Sequence, residues 1–192
     1  MTRNYRLVAR SIFIALILIQ TTIPGLGYLP IGPFSLTIIP ITVIVAAITL
    51  GTKDGMLIGG VWGVITFVRA FFWPTSPMAQ YVFINPLVSV LPRILIGLVA
   101  GLTFYYLKNK RYPKLTLGLV GLMSSLTNTI FVLGFIYVFY HGYAHQLYQI
   151  NVKALLPYLL SVLATNGVLE ALIAAIATPL IATPLLKYLK RN

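Results

Sequence analysis

Six apolar runs separated by short polar or proline- and glycine-rich breaks organise this chain. A helix that crosses a bilayer needs about 20 predominantly apolar residues, fewer where the membrane thins. The first run covers about 6–23 and is stopped by PGLGYLPIGP, whose prolines and glycines cannot continue a helix. The second, about 36–50, is short and has Pro40 near its start. Residues 51–55 read as a tight turn, and a third helix is expected over about 56–72. After a loop at 73–86 the fourth helix is expected over about 87–107, and the basic segment KNKRYPK closes it. A fifth helix follows over about 115–140, then a polar, aromatic interfacial stretch at 141–153. The sixth begins near residue 154 with Pro157 in its first turn and runs to the basic tail KYLKRN. The pattern therefore predicts an all-α membrane protein: six transmembrane helices in one compact bundle, with 1–192 forming a single domain.

Composition agrees with that reading. Of 192 residues 59% are hydrophobic and 8% charged, and the mean hydropathy is +0.94, well outside the range of soluble domains. Fourteen Lys and Arg against Asp54 and Glu170 leave a net charge of +12. Such an excess first suggests nucleic acid, but the basic residues fall in short segments between apolar runs, where the positive-inside rule expects them. With both termini cytoplasmic, the inner segments carry Arg3, Arg6, Arg10, Lys53, Lys108, Lys110, Arg111, Lys114, Lys187, Lys190 and Arg191, and the outer loops only Lys153. Residues 1–23 have no small-x-small cleavage site and read as a retained first helix. The absence of cysteine excludes disulfides, thiolate metal sites and cysteine nucleophiles.

Two charges do not fit the loop pattern. Arg69 and Arg93 lie inside apolar runs, near the outer ends of the third and fourth helices, on either side of a loop carrying Pro74, Thr75, Ser76, Pro77, Gln80 and Asn85. A guanidinium at membrane depth costs several kcal/mol unless it faces a partner or a polar cavity, so each marks a functional site by default. The plain alternative is snorkelling to headgroups, easier for Arg69 than for Arg93, which lies about two turns inside its helix. Trp62, seven residues before Arg69, shares its helix face, as packing or as a ligand contact. Gly59, Gly60 and Gly63 on the same helix permit close backbone approach, as do Gly97 and Gly101 on the next.

Glu170 is the one carboxylate in the apolar runs, with Asn166 one turn before it. It either pairs with Arg69 or Arg93, accepts hydrogens from a ligand, or does both. Asn128, within SSLTNT, is interhelical glue or a ligand contact, and Asn85 before Pro86 is a cap or a contact. The candidate substrate-binding set is thus Trp62, Arg69, Gln80, Asn85, Arg93, Asn128, Asn166 and Glu170. Catalytic motifs are absent: no P-loop, HExxH or GxSxG occurs. His141 and His145 have an i, i+4 spacing but no carboxylate nearby, so no metal site is expected.

Taken together, INPLVSVLPRILIGLVAG, the preceding FVRAFFWPTSP, the six-helix plan and the small residues of helix one resemble the substrate-binding S component of an energy-coupling factor (ECF) vitamin importer. The likeness is to the branch with pantothenate and hydroxymethylpyrimidine carriers. It implies a multi-pass protein of a bacterial plasma membrane that binds a vitamin from outside. A transmembrane T component and two cytoplasmic ATPases would supply the energy, so this chain itself would need no cofactor or ATP site. The family docks on its T component through an Ala-x-x-x-Ala motif on helix one and topples in the membrane to release its ligand. Here the frame from Ala9 ends at Phe13, so Ala9, Ser11 and Ala15 are the docking candidates.

Two arginines suit a carboxylate, and Asn128, Asn166 and Glu170 suit hydroxyl and amide groups, which favours pantothenate. A pyrimidine or pyridoxine-like vitamin would stack on Trp62 or Trp73 instead. Readings from other classes are a membrane scaffold of the cell envelope with structural ion pairs, and a proton-coupled solo carrier using Glu170.

Overall fold

A computed structural model describes residues 3–23, 25–31, 34–74, 79–108, 113–143, 145 and 151–191. Thr75, Ser76 and Pro77 of the expected polar loop lie outside them, as do Lys110 and Arg111. The helices are α1 (Arg3–Thr22), α2 (Ile39–Leu50), α3 (Thr52–Phe72), α4 (Ala79–Val82), α5 (Pro86–Ser89), α6 (Leu91–Leu107), α7 (Pro113–Tyr140), α8 (Val152–Val162) and α9 (Val168–Arg191). A π-helical segment, Leu163–Gly167, joins α8 to α9. Among the described residues five helical stretches are long and apolar enough to cross a membrane: Arg3–Thr22, Thr52–Phe72, Pro86–Leu107, Pro113–Tyr143 and Lys153–Leu189.

The second run differs from its expected form. Leu36 and Thr37 belong to a strand, and α2 is a helix of 12 residues, about 18 Å long, against a hydrocarbon core of about 30 Å. It is apolar on every side, with ten of its residues buried, as a helix surrounded by other helices should be. The length that α2 lacks is made up by an antiparallel hairpin, β1 (Tyr28–Ile31) and β2 (Phe34–Thr37), in which Tyr28 faces Thr37. The prolines and glycines of this stretch concealed it as a loop.

Other boundaries moved for local reasons. Gly51, at φ 103°, turns the chain by itself, so α3 starts at Thr52 and 51–55 is not an extended turn. The fourth run is broken at Val90, because Pro92 has no N–H to continue the α-helical ladder. The last run starts at Val152, capped by Asn151, which leaves Pro157 inside the helix and not in its first turn.

α3 and α6 run antiparallel in backbone contact. A Cβ on Gly59 would overlap the carbonyl of Arg93, and one on Gly97 would overlap the backbone of Gly55. α7 packs on α9 in the same manner, with Gly121 against the carbonyl of Ala174. At the end of the bundle where α3 begins, Arg6 and Arg10 grip the two oxygens of Asp54 at 2.5 Å each. The apolar interior forms two clusters. The larger one includes Ile44, Ile58, Trp62, Ile96 and Val120, and the smaller one, toward the opposite end, includes Val82, Val88, Ile136, Leu155 and Leu159.

Candidate functional site

The break at Pro92 builds the centre of the site. In an unbroken helix the amide of residue 92 would bond the carbonyl of Val88, and proline cannot supply it. The Arg93 side chain does so instead, Nη1 donating to Val88 O at 2.8 Å. Its guanidinium lies between two rings, 5.1 Å from the Trp62 centroid and 5.2 Å from that of Phe83. These cation–π contacts each contribute about 1–2 kcal/mol to holding a desolvated cation. Arg93 is only 6% exposed, and its Nε has no hydrogen-bond acceptor. Trp62 bridges this point to the larger core and Phe83 packs on the smaller one, so Arg93 occupies the level between the two apolar clusters.

Arg69 sits nearer the end of the bundle and is half-buried. Its Nη1 donates to the carbonyl of Thr21 at 2.7 Å, one of the last α1 carbonyls, which lack intrahelical partners. The guanidinium lies 5.3 Å from the ring centroid of Tyr28 in the hairpin. It therefore ties α1, α3 and the hairpin together, while its Nε is buried without a hydrogen-bond partner.

Glu170 forms no ion pair with Arg69 or Arg93 among the described residues, so the pairing alternative is not the one the fold adopts. Its Oε1 accepts the backbone N–H of Thr37 at 2.7 Å. It stays within electrostatic reach of Arg93, as does Tyr28. The hairpin had the prior claim because a strand-end amide at this depth must also be satisfied. Asn166 is half-buried in the π segment just before Glu170, and such π insertions recur at functional sites. Gly167 packs against Thr129 of α7, which brings Asn128 and Thr129 to this level. Both are buried, and Asn128 Oδ1 and Thr129 Oγ1 lack partners, as does Trp62 Nε1.

α3, α6 and α7 therefore each contribute buried, unpartnered polar atoms: Trp62 Nε1, Arg93 Nε, Asn128 Oδ1 and Thr129 Oγ1. Since buried polar groups ordinarily have partners, these atoms are free to bind something polar. Two expected residues stand apart. Asn85 is the N-cap of α5, accepting Leu87 N at 3.0 Å, and Gln80 is exposed on α4. Sequence reasoning missed Tyr28, Thr37 and Phe83. The short run YLPI followed by FSLT was the available signal for the hairpin.

On α1, Ala9 packs against the larger core, whereas Ser11 and Ala15 are exposed. His145 is exposed, and among the described residues no group of three or more His, Cys, Asp or Glu could hold a metal ion.

Comparison with known proteins identifies the architecture. Residues 5–182 match the family model described as "ECF transporter, substrate-specific component". The chain belongs to the ECF S-component family. A pantothenate transporter PanT of Leuconostoc mesenteroides subsp. mesenteroides is 36% identical to this S component over 187 residues, covering 91% of each chain. A pantothenic acid transporter PanT of Lactococcus lactis subsp. cremoris is 31% identical over 168 residues, covering 81% of this chain and 80% of the relative. The S component is thus a membrane transport protein, and the apolar runs have their explanation in the bilayer.

Proposed function

We propose that this S component binds pantothenate from the outer side of a bacterial plasma membrane and delivers it inward together with a T component and two ATPases. The observation that carries the substrate is the state of Arg93: a desolvated guanidinium, sandwiched by Trp62 and Phe83, with one hydrogen bond to Val88 and an Nε hydrogen left over. A buried cation of this kind is completed by an anion, and a carboxylate matches the geometry of a guanidinium. Pantothenate supplies that carboxylate. Its hydroxyl and amide groups suit Trp62 Nε1, Asn128 and Thr129, with Asn166 and Glu170 at the margin. The two relatives named for pantothenate support the same choice.

The reading based on ring stacking is weaker at Trp62, which is 1% exposed and has Arg93 against one face. Trp73 is exposed and stays available to a pyrimidine or pyridoxine-like ligand. The basic residues near the Asp54 end favour that end as cytoplasmic, with the hairpin toward the outside and Arg93, packed on Gly59 and Trp62 of α3, deeper in the bundle. Ser11 and Ala15, small and exposed on α1, are the docking face for the T component.

Mass spectrometry of ligand released from the purified, denatured protein tests the substrate. Pantothenate is the expected species, confirmed by calorimetric titration of the emptied protein. Heat release with hydroxymethylpyrimidine or pyridoxine and none with pantothenate would overturn the assignment.

A further inference from the structure

A cavity of about 700 Å³ opens far from Arg93, between the end of α6, the start of α7 and the last turns of α9. Lys108, Lys114 and Lys187 surround it, one from each helix border, and Phe104, Leu117 and Thr183 are among its walls. The three lysines line one space and are exposed, so water screens their like charges and an anion between them would relieve the repulsion that remains. The chain has two acidic side chains, and both are engaged elsewhere: Asp54 by Arg6 and Arg10, Glu170 by the amide of Thr37. Lys108 has a partial substitute, its Nζ lying 4.8 Å from the Tyr105 ring centroid. The Oγ1 of Thr183 is buried without a hydrogen-bond partner. Neither acidic side chain therefore serves this cavity.

We propose that the cavity binds the phosphodiester headgroup of an anionic membrane lipid. Three features favour this occupant. Phosphate oxygens accept from several lysines and a hydroxyl at once. The walls beside the lysines are apolar, as acyl chains require, and Leu115, Leu180 and Leu185 are exposed on the same helix ends. Basic pockets between membrane helices are suited to acidic headgroups, with each lysine near the surface contributing about 1 kcal/mol. The lipid joins α6, α7 and α9 at the end of the bundle opposite the hairpin and ties the protein to the acidic leaflet.

The test uses the full chain in nanodiscs containing phosphatidylcholine with a minor fraction of phosphatidylglycerol, followed by native mass spectrometry of retained lipid. Wild-type protein is expected to retain phosphatidylglycerol preferentially. The triple variant Lys108→Gln, Lys114→Gln, Lys187→Gln should lose that preference by about tenfold or more. A control removing three charges elsewhere, Arg3→Gln, Lys53→Gln, Lys153→Gln, should retain it. Equal loss in both triple variants, or loss in neither, overturns the proposal. Displacement of the lipid by millimolar inorganic phosphate, with phosphate itself retained, overturns the lipid as source in favour of a soluble phosphate. If the triple variant fails to fold, Lys114→Gln and Thr183→Val decide separately, and undiminished preference in both overturns the site.

Discussion

Glu170 and Thr37 are 133 positions apart in the chain, yet the carboxylate oxygen of one accepts the backbone N–H of the other at 2.7 Å. This bond fastens the hairpin to α9. The hairpin is also held by the Tyr28 ring against Arg69 and by Leu36, which is buried.

Glu170→Ala removes one of these attachments and leaves the Thr37 amide unsatisfied, at a cost of about 1–3 kcal/mol. Dissociation of pantothenate should accelerate by about tenfold, as read by stopped-flow chase. Glu170→Gln keeps a carbonyl acceptor at the same place and should recover most of the lost residence time. An equal effect of Gln and Ala would show that charge toward Arg93, and not the hairpin bond, is what matters.

Arg93→Ala deletes the cation and empties the space between Trp62 and Phe83. Loss of a buried charge pair with the ligand costs about 2–5 kcal/mol, so pantothenate affinity should fall at least thirtyfold in calorimetric titration. Arg93→Lys should restore little of it, because a single ammonium cannot serve Val88 and a carboxylate in the same fork geometry. Undiminished affinity in Arg93→Ala would remove Arg93 from the site.

Asp54 is 1% exposed and satisfied by Arg6 and Arg10. Asp54→Ala removes the shared acceptor of two partly exposed arginines and should destabilise the protein by about 1–2 kcal/mol, visible as a lower apparent melting temperature. Ligand affinity should change little, since the hairpin end keeps the Arg69 to Thr21 bond.

Gly59→Ala forces a methyl group into the carbonyl of Arg93. Overpacking of this sort costs about 1–3 kcal/mol, and here it also displaces the residue proposed to pair with the substrate. Both melting temperature and affinity should fall. Gly60→Ala, whose added Cβ would meet only Ile94 at an ordinary contact distance of 3.5 Å, should leave both unchanged.

Ser11→Trp and Ala15→Trp change exposed positions of α1. Pantothenate binding by the isolated protein should persist, while uptake by cells expressing the full transporter should be lost. Normal uptake in both variants would move the docking face elsewhere.

Much of this protein is determined by its sequence alone. Run length and hydropathy require membrane helices whatever the packing, because no other local structure satisfies a backbone in hydrocarbon. An arginine in such a run must have a purpose, so Arg93 stood out before any coordinates. Tertiary structure decided what each polar group touches, since those partners come from distant segments. Pro92 frees the carbonyl that Arg93 takes, a local relation readable from one helix. That Phe83 and Trp62 enclose the guanidinium, and that Glu170 serves the Thr37 amide and not an arginine, depends on which helices meet. The hairpin was hidden for the same reason: its strands bond to each other, and its Thr37 amide bonds a carboxylate 133 positions away.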